Sequence, residues 1–266
     1  MKYKLFISDF DGTLGQSAGN SIEPETVAAI NRYKEKGGIF VVCTGRMLTS
    51  IRPICIKCGL SGLIASYQGA MINDIETGAS ILDAGLDFKT AAEVAEVLLK
   101  EGVPTVADIG DVMYCEEYTK YTEFHKEFSR IELVDDLVKL ILDKKETVHK
   151  LVSVGEPAFV KSLIKKYTPI FGDKALLNSG GDFLLEVINP KYSKGNAVKF
   201  LADYYGVKLS EVLAVGDSTN DIELLRGEWH GVAVGDGKEA LKAVAKEITV
   251  PFKEKPVKHL LEKYCL

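Results

Sequence analysis

The chain alternates short, solidly apolar runs with longer stretches whose apolar residues recur at helical spacing. The opening run Tyr3-Lys-Leu-Phe-Ile-Ser-Asp9 predicts a strand that ends in carboxylates, followed by a Gly- and Ser-containing loop over residues 12–21. Glu23-Pro24-Glu25 opens a helix, with proline near the first turn and acids where the helix dipole favours them. Val27, Ile30 and Tyr33 continue it at helical spacing, and Gly37-Gly38 stops it. Residues 39–43 form a continuous apolar strand, the pattern of a parallel sheet covered on both faces. It ends in Thr44-Gly45-Arg46; a helix then runs to about Cys58, and residues 63–66 form a third strand. This β-α-β-α-β rhythm predicts an α/β fold with a doubly wound parallel sheet.

The rhythm returns near the C-terminus, with a helix over 194–205, a strand over 213–217, a short helix over 221–226, a strand over 231–234 and a helix to about Lys246. The middle differs. Residues 91–100 read as an amphipathic helix with Val94, Val97 and Leu98 on one face, 111–117 and 148–154 as strands, 158–166 as a helix and 183–188 as a strand. This predicts an α+β unit over 84–187, inserted into a core domain made of 1–83 and 188–266.

Composition adds limits. A chain of 266 residues with 46% apolar and 27% charged residues is an ordinary globular protein of one large or two unequal domains. Its apolar runs are too short to cross a bilayer, and the N-terminus lacks the pattern of a signal peptide, so the expected location is cytoplasmic. A net charge of −5 argues against a nucleic-acid binder while leaving room for a local positive pocket. Five cysteines do not suggest a disulfide framework. Cys55-Ile-Lys-Cys58 matches C-x-x-C, but it has no second ligand pair and falls late in a helix, where no dipole lowers a thiol pKa. Partly buried thiols are the plainer reading.

Four polar clusters fall at sheet edges or helix starts. Asp9-Phe-Asp11-Gly-Thr13-Leu14 follows the first strand, at the edge where open α/β sheets hold ligands. Two carboxylates at alternate positions can divide labour between nucleophile and proton carrier, although D-x-D alone could be an acidic turn. Thr44-Gly45-Arg46 offers a hydroxyl and backbone N–H groups at a helix start, an anion site or a simple N-cap. Lys194 sits where a cation opposes the helix dipole, a position that an adjacent anion would explain. Gly216-Asp217-Ser-Thr-Asn220-Asp221 supplies two more carboxylates four residues apart, hard ligands suited to Mg²⁺. Their common order and edge position point to one site.

The set resembles that of Cof-type phosphatases of the haloacid dehalogenase (HAD) superfamily, over roughly residues 1–83 and 188–250, with the inserted unit where that group carries a C2B cap. Asp9-x-Asp11-Gly-Thr13-Leu14, Thr44-Gly45-Arg46, Lys194-Gly195 and Gly216-Asp217-x-x-Asn220-Asp221 match its four motifs, and Gly231-Val-Ala-Val-Gly235 resembles a recurrent segment. The resemblance implies that Asp9 attacks phosphorus to form an aspartyl-phosphate, and that Asp11 protonates the leaving oxygen and then activates water. Thr13 supports the loop. Thr44, Gly45, Lys194 and Asn220 hold the phosphoryl oxygens; Asp9, the Asp11 carbonyl and Asp217 bind Mg²⁺, with Asp221 in or beside its shell. Two unit charges about 4 Å apart at an effective dielectric of about 20 repel by about 4 kcal/mol. Mg²⁺ and Lys194 must therefore offset the approach of a phosphate dianion to Asp9. On this reading Lys194→Ala impairs turnover without unfolding the protein.

Two segments depart from the pattern: Ser66-Tyr-Gln68-Gly69 has Gln where the group commonly has Asn, and residues 251–256 lack its usual Asp-Gly-Val. A large cap would favour small phosphorylated metabolites such as sugar phosphates, with His149 and Lys150 as candidate contacts. A phosphotransferase or mutase of the same fold, or a non-catalytic phosphate sensor, are the alternatives.

Overall fold

Leu5–Ser8 is buried along its whole length because it lies in the middle of a sheet. It pairs in parallel with Val212–Gly216 on one side and Ile39–Cys43 on the other. Beyond Val212–Gly216 come His230–Ala233 and Glu247–Ile248; beyond Ile39–Cys43 come Leu63–Ser66, Met71–Asp74 and Ser80–Asp83. Among the described residues these make eight strands, parallel up to Leu63–Ser66, where Met71–Asp74 turns antiparallel. Strand order reverses direction at Leu5–Ser8. A doubly wound sheet of this kind opens its ligand crevice there, at the strands' carboxyl ends. The computed structural model describes residues 1–16, 21–126, 129–179 and 183–266.

Two compact units emerge from the contacts: Met1–Met47, Ile51–Leu82 and Ser193–Leu266 form one, and Leu48–Ser50 with Asp83–Tyr192 the other. In the first unit, Leu5, Ile7, Val41, Cys43, Val212 and Ala214 cluster with Ala197, Val198 and Leu201 of the helix Lys194–Tyr204. Trp229 belongs to the same cluster, and its indole N–H donates to the Leu224 carbonyl at 2.7 Å. Phe6, the alternate residue, instead stacks with Phe40 and meets Tyr33 of the helix Pro24–Glu35.

Several elements differ from their sequence patterns. The last turns before Lys246 are helical only over Glu239–Lys242, and the segment after Asp217 is a 3₁₀ turn, Thr219–Asp221, followed by Ile222–Leu225. The expected loop over 12–21 carries a short antiparallel pair, Gly15–Gln16 with Ser21–Ile22; residues 17–20 lie outside the described residues. Met71–Asp74 and Ser80–Asp83 are too short and too polar to announce themselves, and the helix Pro256–Tyr264 falls where no element was predicted. Among the described residues no helix is long and apolar enough to cross a membrane.

Among the described residues, the second unit has a six-stranded sheet in the order Arg130–Leu133, Val112–Cys115, Thr105–Ile109, Val148–Val154, Leu184–Ile188, Leu176–Ser179. Ala107, Ile109, Leu151, Leu185 and Val187 cluster with Val94 and Leu98 of Phe88–Lys100, Ile141 of Leu137–Lys144, and Val160 of Pro157–Phe171. Asp87 caps the first of these helices by accepting from the Lys89 and Thr90 amides. The alternate phase of the sheet includes a charged cluster: Asp108 stands opposite Lys150, whose ammonium donates to Glu186 at 3.1 Å and lies over the Tyr121 ring. The neighbouring His149 pairs through Nε2 with Asp83 at 2.9 Å.

Asp108 is fully buried, and neither carboxylate oxygen has a hydrogen-bond partner among the described residues. Burial pushes its carboxyl up to about 6, against the opposing pull of Lys150 and His149. A carboxyl raised in the folded state favours folding while protonated and costs stability as pH climbs through that value. Asp108→Asn is therefore expected to raise unfolding free energy at about pH 7.5 by about 2–3 kcal/mol, with the gain vanishing below about pH 4. Denaturant midpoints at the two pH values measure it. A loss of stability at the higher pH would mean that Lys150 more than compensates the buried charge.

Candidate active site

The loop after the central strand is wound around one carbonyl. The Thr13, Leu14 and Gly15 amides all point to the Phe10 oxygen, at 3.3, 3.0 and 2.8 Å. Before it, the Asp9 amide donates to Val215 at 2.9 Å, and the Ser8 hydroxyl donates to the Asp9 carbonyl at 2.7 Å. The first extends the strand pairing to the residue that carries the carboxylate, and the second holds its carbonyl. Gly12 has φ +76°, and a Cβ there would sit 2.8 Å from Asp217 Oδ2. The turn needs glycine for both its conformation and its closeness to the neighbouring strand end. Thr13 Oγ1 donates to Asp217 Oδ1 at 3.0 Å, tying the two acidic loops together.

Lys194 enters from another direction. Its helix begins with Ser193 as cap, accepting from the Asn196 amide. A Cβ on Gly195 would come within 2.5 Å of the Glu223 carbonyl, so the glycine lets this helix approach the segment after Asp221. The Lys194 ammonium donates to Asp9 Oδ1 and to Asp221 Oδ1, both at 2.5 Å. Side-chain exposure is 0% for Lys194, 7% for Asp9 and 0% for Asp221, so the triad is dry. Asp221 spends its other oxygen on the Asp217 and Ser218 amides, each at 3.1 Å. A lysine that opposes the dipole of its own helix is thus held by two carboxylates.

Removing that cation would leave two carboxylates buried without their partner. Breaking a buried ion pair from one side costs about 3–5 kcal/mol. Lys194→Ala is therefore expected to cost stability as well as turnover, because of a burial that sequence position does not display.

Burial lowers the Lys194 ammonium's pKa, but Asp221 and Asp9 more than offset it, and the net shift is upward. Burial, then the charge of Asp221, pushes Asp9 well above the usual carboxylate range in spite of Lys194. Asp217 is raised by the same two causes, with Thr13 and Lys194 pulling the other way. Three acids and one ammonium leave an excess of negative charge. One oxygen from each of Asp9, Asp217 and Asp221 lies within 4.8 Å of the others. Hard oxygen donors in a pocket with surplus negative charge fit a hard dication such as Mg²⁺. Asp9 and Asp217 are the freer donors, since Asp221 is already engaged at both oxygens.

Thr44 follows the strand next to Asp9's and is buried, its hydroxyl accepting from the Arg46 amide at 3.1 Å. Gly45 faces the side-chain amide of Gln68, which comes from the departing segment Ser66–Gly69 and has the left-handed φ of 59°. Asn220 is exposed on its 3₁₀ turn and is not part of the buried triad. The segment around Gly235 runs behind Asp217, whose carbonyl accepts from the Lys238 amide at 2.8 Å. Residues 251–256 contain a 3₁₀ turn, Phe252–Glu254, whose first amide is capped by Asp236. Cys55 is buried with its thiol pushed up to about 12 by that burial, and Cys58 caps the end of the helix Leu48–Lys57.

Arg46 closes the motif Thr44-Gly45-Arg46, whose pattern alone does not display its partner. Its guanidinium grips Asp11 at both oxygens, Nε to Oδ2 at 2.8 Å and Nη2 to Oδ1 at 2.6 Å. A permanent cation following a strand that neighbours Asp11's own was the available signal.

Comparison with known proteins agrees with this layout. A model of the haloacid dehalogenase-like hydrolase family matches residues 6–261. A Haemophilus influenzae protein that carries the provisional name of phosphatase is 28% identical, over 98% of both chains. The Bacillus subtilis 5-amino-6-(5-phospho-D-ribitylamino)uracil phosphatase YitU is 24% identical over 98% of this chain and 97% of its own. The crystal structure of a haloacid dehalogenase-like hydrolase from Bacteroides thetaiotaomicron superposes with a TM-score of 0.85 at 24% identity, covering 98% of this chain and 99% of that one. With the family matched from the first strand to the last helix, this chain belongs to the haloacid dehalogenase-like hydrolases.

Proposed function

We propose that the protein is a Mg²⁺-dependent phosphatase that hydrolyses small phosphorylated metabolites through an aspartyl-phosphate formed on Asp9. The observation that carries this reading is the buried contact of Lys194 with Asp9 and Asp221, beside Asp217, at the carboxyl edge of the sheet.

In this mechanism Asp9 Oδ attacks phosphorus from a strand end that pairing and the Phe10 turn hold still. The Lys194 ammonium is already desolvated and fixed, so it can meet charge that develops on the phosphoryl oxygens without reorganising. Asp221 positions Lys194 and braces the Asp217 loop through its other oxygen. Thr44 and Gly45 offer a hydroxyl and a backbone amide at the adjacent strand end, and Asn220 offers its exposed amide from the next loop. Mg²⁺, when bound at Asp9, Asp217 and the Asp11 carbonyl, would supply charge neutralisation and orient the phosphoryl group. Asp11 carries protons: it gives one to the leaving oxygen as the ester bond breaks, and takes one from the water that releases phosphate from Asp9.

The substrate class is proposed on two grounds. The B. subtilis relative is named for a small metabolite, a uracil that carries a phosphorylated ribityl chain. The site residues are also set in loops and helix starts at a sheet edge, a scale suited to a small ester. Sugar phosphates and similar polyol phosphates are the leading candidates, with specificity assigned to the inserted unit.

Asp9→Asn keeps the size of the side chain but removes the nucleophile, and is expected to reduce phosphate release from a metabolite panel by at least about a thousandfold. Full activity in that variant would end the assignment. Lys194→Met is expected to lower kcat by about 10²–10³ and also to shift the denaturant midpoint, the second effect reflecting its burial. Chelation by EDTA should abolish turnover and added Mg²⁺ restore it. Independently of activity, Mg²⁺ should raise the melting temperature of the wild type and leave that of Asp217→Asn unmoved. Turnover indifferent to EDTA would exclude the metal.

A further inference from the structure

Asp11 has two proton-transfer duties in the proposed mechanism, and the structure equips it for one of them. Both of its oxygens accept hydrogen bonds from the Arg46 guanidinium in a two-pronged pair. An oxygen pair engaged in this way presents acceptors, the hydrogen-bonding pattern of a base. Arg46 is itself held at three further points. Its amide donates to Thr44 Oγ1 at 3.1 Å, its carbonyl accepts from the Tyr67 amide at 3.0 Å, and its guanidinium carbon lies 4.9 Å from the centre of the Phe10 ring. Phe10 is fully buried between Asp9 and Asp11. The guanidinium therefore rests on the same residue whose carbonyl anchors the loop.

We infer that Arg46 is the positioning residue for the second half-reaction, aiming the Asp11 carboxylate at the water that hydrolyses the aspartyl-phosphate. This inference rests on the phosphatase reading above and deepens it. In that step the water oxygen bonds to phosphorus, the water proton passes to Asp11, and the bond between phosphorus and Asp9 breaks, returning the Asp9 carboxylate and releasing phosphate. No reactant beyond water is required. The fork matters because a planar guanidinium fixes the carboxylate's orientation as well as its charge, which an ammonium does not. Attack on the ester by Asp9 does not use this alignment when the leaving group is good.

The two half-reactions can be separated with p-nitrophenyl phosphate in the presence of Mg²⁺. The ratio kcat/KM reports the steps up to formation of the aspartyl-phosphate, and kcat reports its hydrolysis once that step is slow. Arg46→Gln is expected to lower kcat by roughly 10²-fold while changing kcat/KM by less than about tenfold, and to show a pre-steady-state burst of nitrophenolate. Arg46→Lys should recover only part of the lost kcat. Burst amplitude is read against protein concentration, and KM does not depend on the active fraction, so partial misfolding cannot imitate the pattern. Equal losses in kcat and kcat/KM without a burst, or full rescue by lysine, overturn the inference and leave the phosphatase reading intact. Wild-type protein inactive toward phosphate esters with Mg²⁺ defeats that reading, and the inference with it.

Discussion

One ammonium group, sealed from water, stands against more carboxylates than it can neutralise. Lys194 reaches Asp9 and Asp221 at 2.5 Å each, and Asp217 is joined to the same knot through the backbone amide that Asp221 accepts. Each of these charges would be expensive alone in a dry interior. Together they are tolerable, and burial, followed by the charge of Asp221, raises Asp9 and Asp217 above the usual carboxylate range. A pocket in that condition attracts positive charge, and it does so at the point where the strand order of the sheet reverses.

The local structure follows from that constraint. Gly12 brings the first acidic loop against Asp217, and Gly195 brings the lysine's helix against the segment after Asp221. The Phe10 carbonyl gathers three amides, so the turn that carries Asp9 and Asp11 has little freedom to drift. On the flank, Arg46 takes the remaining carboxylate and rests on Phe10. Opposite charges are thus sorted into two neighbouring sets, a buried one centred on Lys194 and a half-exposed one centred on Arg46.

Much of this was legible in the amino-acid pattern because fully buried parallel strands are solid apolar runs with polar residues immediately after them. Asp9, Thr44 and Asp217 each follow such a run, and Lys194 follows a Ser cap, so all four are visible as chemistry at element ends. What cannot be read is pairing and depth. Nothing in the string marks Lys194 as inaccessible to solvent, or Arg46 as the partner of Asp11, since both contacts join residues far apart in the chain. Asp108 is hidden for a related reason: an acid inside an apolar strand reads as an edge or turn, yet it is fully buried. The strands Met71–Asp74 and Ser80–Asp83 escape because four residues carry too little periodicity to register.

The contact between Lys194 and Asp9 spans 185 positions of chain, and the whole of the inserted unit lies between its two ends. During synthesis Asp9 emerges early and waits, its partner still inside the ribosome, until more than a hundred further residues have been made. Closing so long a loop is entropically slow unless the intervening segment compacts first and shortens the distance. The inserted unit, with its own apolar cluster, supplies that compaction. A chain truncated before Lys194 therefore carries Asp9 and Asp11 without the ammonium that Asp9 meets in the folded protein.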